Sequence, residues 1–188
     1  MRPRAVDTAV FLASLVLVAL QVALMQALAE AQGHHFAYVV IALALLGFGG
    51  SGTALALLRD RALTRAERLL PGLMLWASMG CIAALPLARL AAARVDFPLL
   101  FVEWRAWGPL VLSAGLACIP FFFGALFLGL VFMRDTRDIG RLYAANLLGS
   151  AAGAAAGLGV LYWLPAERTF PLMGAVLACA ALTLAPDR

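Results

Sequence analysis

From Ala37 to Leu58 the chain runs for 22 residues without one charge. Five further stretches share this character, at roughly 8–29, 69–88, 108–133, 142–163 and 169–185. Each is close to the ~20 residues that an α-helix needs to cross ~30 Å of hydrocarbon. The charges fall into short runs between them. Ala and Leu dominate the stretches, which suits helices, and the alternating ~10-residue segments of a membrane barrel are not seen. Composition agrees: 64% of residues are hydrophobic and 13% charged, against about 45–50% and about 25% in soluble domains. Water could not solvate so much apolar surface on a chain of this size. The expected fold is all-α: one polytopic integral membrane bundle over residues 1–188, with about six transmembrane helices and the lipid bilayer as solvent.

The second stretch contains G-x-G-x-x-G at Gly47, Gly49 and Gly52, with Glu67 twenty residues beyond Gly47. This is the spacing of a dinucleotide loop and its ribose-binding acid. Such a loop sits at a strand end with its backbone donors open to a phosphate. Here strand, loop and helix start would all lie at bilayer depth. The spacing is therefore read as helix packing, since small residues let backbones approach in lipid. A flexible or kinked helix is the second reading. No cofactor is expected.

All fourteen basic residues are arginines. Assigning the loops alternately to two sides puts ten on one side (Arg2, Arg4, Arg59, Arg61, Arg65, Arg68, Arg134, Arg137, Arg141 and Arg188) and four on the other (Arg89, Arg94, Arg105 and Arg168). The expected location is the inner membrane, and the positive-inside rule then places both termini in the cytoplasm. It also accounts for the net charge of +4 without a nucleic-acid partner. "MRPR", an apolar run and "ALA" at 27–29 have the layout of a secretory signal. The run is longer than the usual 7–15 residues, which favours a retained first helix. Segment 89–107 mixes Arg94, Asp96, Glu103 and Arg105 with Phe97, Phe101, Trp104 and Trp107. It is expected to lie along the interface, with a lid over a substrate path as the alternative.

No catalytic set can be assembled. Cys81, Cys118 and Cys179 lie apart inside expected helices and form no C-x-x-C. His34 and His35 stand near Glu30 in a short loop, and adjacent histidines do not make a three- or four-ligand site, so no metal is expected. No histidine and no carboxylate pair lies within an expected span, which counts against a proton-coupled pathway. The neutral polar residues are the candidates. Gln21 and Gln26 lie in the first helix, five apart and so on different faces. In the fifth, Tyr143, Asn146, Gly149, Gly153 and Gly157 follow one helical stripe with G-x-x-x-G twice over. It is expected to pack closely on another helix, in this chain or in a homo-oligomer, with Asn146 bonding across; Tyr143 and Asn146 as ligand-lining groups is the alternative. Pro120 is expected to kink the fourth span.

"HFAYVVIALALLGFGGSGTAL" (35–55), "IPFFFGALFLGLVF" (119–132) and "GRLYAANLLGSAAGAAAG" (140–157) occur in this order. Together they resemble the membrane region of bacterial spermidine synthase-like proteins, which fuse a helical membrane domain to an aminopropyltransferase-like domain. "ALQVALMQALA" (19–29) fits the first helix of that region, with Gln21 where many members have an acid or a glutamine. Tyr143 to Ser150 is the most specific piece. Members with the enzyme domain continue into a soluble Rossmann-like fold, whereas this chain ends at Arg188, so no catalytic residue carries over. The resemblance implies a membrane module, whole or part of a split or longer protein. It would anchor, or supply substrate to, an aminopropyltransferase-like domain or subunit. A scaffold subunit of a membrane complex and a small-molecule transporter are the competing expectations.

Overall fold

α1 (Pro3–Gln32) is apolar on nearly every side and packs along a second long helix, Ile139–Trp163. The computed structural model describes residues 3–32, 37–95 and 102–184. α2 spans Ala37–Thr64. The third span is composite: α3 (Ala66–Met79), one wide π-type turn (Gly80–Ala84) and α4 (Leu85–Ala92). α5 runs Trp107–Arg134, α6 Ile139–Trp163 and α7 Ala166–Thr183. No strand occurs among the described residues. Helices close most of their backbone hydrogen bonds within themselves, which a chain solvated by lipid requires. α1, α2, the α3–α4 unit, α5 and α6 are each long and apolar enough to cross a membrane.

Contacts between helices fix their directions. Asp7 meets Arg141 at 3.0 Å, and further along both helices Phe11 meets Gly149 and Ala19 meets Gly157; α1 and α6 are parallel. Gly47 lies on Phe121 and Leu55 on Gly129; α2 and α5 are parallel. Glu67 is 3.8 Å from Arg134 while Gly80 abuts Pro120; α3 opposes α5. Arg89 pairs with Glu167 while Ser78 Oγ donates to Gly174 O at 2.7 Å; α7 opposes the third span. The spans thus alternate in direction. One end of the bundle gathers Asp7, Glu67, Arg134, Asp135, Asp138 and Arg141. The opposite end holds Glu30, Arg89 and Glu167. The middle is aliphatic and aromatic, with Phe121, Phe127 and Phe170 fully buried.

Several expected boundaries move. The second span does not stop at Leu58. A non-helical turn there (φ −110°, ψ 16°) redirects α2, which continues to Thr64 carrying Arg59, Asp60 and Arg61. The third span extends beyond 69–88 to Ala66–Ala92, so the first residues of segment 89–107 belong to α4 rather than to an interfacial stretch. Its later part keeps the expected exposure at Val102 and Trp104, and 96–101 lie outside the described residues. A helix gains backbone bonds by growing out of hydrocarbon, so charge-free length underestimates it. The sixth expected span is α7. Its 18 residues rise about 27 Å, but the first turn carries Glu167 and Arg168. That leaves its apolar part short of the five longer helices. α7 instead buries Phe170, Met173, Gly174 and Leu177 within the bundle.

Candidate functional site

Four of the residues singled out in the sequence, Asn146, Gly149, Gly153 and Gly157, meet α1 along one seam with α6. A Cβ at Gly149 would overlap the carbonyl oxygen of Phe11, and one at Gly153 that of Leu15. One at Gly157 would stand 3.1 Å from Ala19 Cα. The three glycines are buried and their neighbours repeat every four residues along α1, so α6 lies with its backbone against that of α1. The partner of this stripe is within the chain. Asn146 stands above the glycines. Ser14 Oγ is 2.7 Å from Asn146 Oδ1 and 2.8 Å from Val10 O, one hydroxyl proton serving two carbonyls. Beyond it, Arg141 Nε reaches Asp7 Oδ2 at 3.0 Å and Arg141 Nη2 reaches Asp138 at 3.4 Å.

Two sequence expectations need correction here. Tyr143 is not on the stripe: it is 55% exposed, and Leu142, at 1%, takes the place at its head. Leu142, Asn146, Gly149, Gly153 and Gly157 step by four, three, four and four, which keeps one face at 3.6 residues per turn. Of the G-x-G-x-x-G glycines, Gly47 alone packs, its missing Cβ falling 2.7 Å from Phe121 Cβ; Gly49 and Gly52 have no neighbour within 4 Å. Gln21 is half-buried on α1, and Gln26 is exposed, donating from Nε2 to Glu30 Oε1 at 2.8 Å. They lie on different faces, as their spacing requires. His34 and His35 lie outside the described residues, and among those described no three His, Cys, Asp or Glu side chains come together. α5 remains helical through Pro120, whose ring is buried against Gly80.

Bonds between membrane helices average only about 0.6 kcal/mol, because the separated helices find other partners. Asn146→Leu is therefore expected to lower the melting temperature in detergent by only a few degrees. Calorimetry or a scanning fluorescence melt reads this directly.

A second feature was hidden in the sequence. Toward the Arg89 end, α1, α2, α4 and α5 splay apart around a partly open cavity of about 350 Å³. Leu24 and Leu28 of α1, Val40 and Leu43 of α2, Leu85 and Ala88 of α4, and Ala114 and Ala117 of α5 line it. Ser113 and Arg89 are the polar members; the Ser113 hydroxyl already donates to Leu110 O at 2.8 Å. The wide turn at Gly80–Ala84 comes directly before Leu85 and Ala88, and π-type turns recur where a helix is reshaped for a site. Arg89 also pairs with Glu167. The Arg89 hydrogen bond and charge, with the charge of Arg168, hold the Glu167 carboxyl below its ordinary range. That tie is therefore complete above the ordinary glutamate pKa and is lost as pH falls through the lowered one. Glu167 is open to water, so its share in stability is small.

Compared with known protein families, with curated proteins and with solved structures, the chain finds no match.

Proposed function

We propose that the chain is a multi-pass module of a bacterial inner membrane, with both termini cytoplasmic, that anchors or serves an aminopropyltransferase-like domain or subunit. The observation that carries the reading is the arrangement of the ends. α1 begins, and α7 finishes, at the end of the bundle that gathers Arg134 and Arg141, where the arginine excess lies. A soluble domain joined to either terminus, or a subunit docked there, would work on the side where nucleoside and amine substrates are found. The motif resemblance at 35–55, 119–132 and 140–157 supplies the partner's class. A dry aliphatic interior, with its ion pairs at the two ends, suits a support better than a reaction centre.

Topology is the first check. A fluorescent-protein fusion after Arg188 is expected to fluoresce, and an alkaline phosphatase fusion there to be inactive. The same phosphatase placed after Gln32 is expected to be active. The reverse pattern overturns the orientation. Affinity purification from native membranes is then expected to recover an aminopropyltransferase-like protein; repeated recovery of none removes the partner from the reading.

A scaffold role is the second reading, favoured by the unshared faces of α2 and α6, the least buried of the five long helices. Leu45 and Leu46 of α2 and Leu147, Leu148 and Leu158 of α6 face outward. A homo-oligomer or a larger membrane complex would cover them; cross-linking in native membranes separates this from lipid contact.

A further inference from the structure

The aliphatic cavity beside Arg89 has a shape and a chemistry that the anchoring role does not use. Its lining is leucine, valine and alanine, and its one hydroxyl is already bonded to Leu110 O. Nothing inside offers water the two to four polar partners it needs, so the space stays dry or holds hydrocarbon. A 150 Å³ apolar cavity accepts benzene; about 350 Å³ accepts on the order of a dozen carbon atoms. An alkyl chain meets both conditions, being narrow, flexible and without hydrogen-bonding groups. The polar group at the rim is a guanidinium. Glu167 meets Arg89 at Nη2, and five N–H donors in a planar fork allow a second acceptor. Arg168 follows Glu167 in the first turn of α7 and acts on the same carboxylate, and Glu30 lies at the same end of the bundle, so the pull on an anion comes from the remaining N–H donors of Arg89 rather than from a net charge.

We propose that this cavity is a binding site for an anionic phospholipid, one acyl chain lying between α1, α2, α4 and α5 and the headgroup phosphate resting on Arg89. The site sits where the hydrocarbon core meets the polar layer, because Arg89 and the aliphatic lining belong to consecutive turns of α4. A bound lipid would fill the gap where these helices splay and tie α7 to α4 through the shared arginine.

The test uses the full chain in phosphatidylcholine nanodiscs doped with phosphatidylglycerol that carries a diazirine in one acyl chain. After photolysis, peptide mapping is expected to find the label concentrated at α4 and the first half of α5, well above the outward face of α6. Ala114→Phe, which fills the cavity from α5, is expected to cut that labelling about tenfold, and Ala88→Leu to do the same from α4. Arg89→Gln is expected to reduce the advantage of unlabelled phosphatidylglycerol over phosphatidylcholine as competitor by about fivefold, the worth of one arginine near a lipid surface. Inorganic phosphate at millimolar concentration is expected not to compete. Label spread evenly over α2, α5 and α6 overturns the proposal. So does labelling untouched by Ala114→Phe, a lipid preference that survives Arg89→Gln, or competition by free phosphate, which would mark an anion site without a chain. The wild-type labelling pattern fixes the location by itself, so the test stands even where a variant fails to fold.

Discussion

Gly153→Ala is expected to lower the melting temperature of the detergent-solubilised protein by on the order of 10 °C, and Gly153→Leu to prevent stable folding. The added methyl group would overlap the carbonyl oxygen of Leu15. A side-chain tip could rotate away from such a clash, but a carbonyl held inside α1 cannot. Either α6 retreats from α1 along the whole seam or α1 bends. Overpacking of this kind costs about 1–3 kcal/mol and more where backbone must move, and each kcal/mol shifts melting by roughly 2–4 °C at this chain length. Retreat also separates Asn146 from Ser14, now 2.7 Å apart, and withdraws Gly149 and Gly157 from Phe11 and Ala19. The loss is of dispersion contacts rather than of hydrophobic burial, because the separated faces would be solvated by lipid tails. Gly159→Ala, six residues along the same helix with no neighbour within 4 Å, is the control. It is expected to melt within about 2 °C of wild type, or slightly above it, since alanine is the better helix former. Equal losses at Gly153 and Gly159 would show that the seam is not where α6 is held.

The parts of this architecture legible in the sequence are those that lipid dictates. A helix in hydrocarbon cannot hide a charge, so charge-free runs locate the five long helices and α7, and the arginine runs mark the ends. The stripe through Asn146, Gly149, Gly153 and Gly157 is visible because small residues at helical spacing have few other uses in a membrane. Its partner is not visible. Phe11, Leu15 and Ala19 take part through backbone atoms, and backbone carries no sequence signature. Tyr143 fits the stripe on spacing because three-residue and four-residue steps both keep a helical face, and only packing decides whether residue 142 or residue 143 heads it. Arg89 reads as a loop charge because α4 outlasts its apolar run. The cavity is invisible for a different reason: Leu24, Leu43 and Leu85 are of the same type whether they meet one another or enclose a space. A void belongs to the placement of helices and has no residue of its own.

Gly47→Leu is expected to destabilise the protein about as strongly as Gly153→Ala, while Gly49→Leu and Gly52→Leu leave melting within about 2 °C of wild type. All three glycines belong to one G-x-G-x-x-G, yet their surroundings differ. A Cβ at Gly47 would stand 2.7 Å from Phe121 Cβ and 3.0 Å from the Phe122 nitrogen. Phe121 is fully buried, so neither its ring nor the α5 backbone has room to give way. The push would part α2 from α5 where Cys118 Sγ now lies 3.5 Å from Leu43 O. A forced shift here costs about 1–3 kcal/mol or more. Gly49 and Gly52 face open space, where leucine meets only lipid and removes a glycine's helix penalty of about 0.8–1.0 kcal/mol. A phosphate-cradling loop would behave otherwise. It needs its glycines for the turn, for backbone approach to the pyrophosphate and for helix–strand packing, so bulky side chains at the second and third would abolish binding. Melting each variant with and without millimolar NAD separates the two cases. Sensitivity at Gly47 alone, with no shift on adding NAD, is the pattern of a helix that uses one glycine to touch its neighbour. A shift with NAD that vanishes in Gly49→Leu would return the motif to nucleotide chemistry.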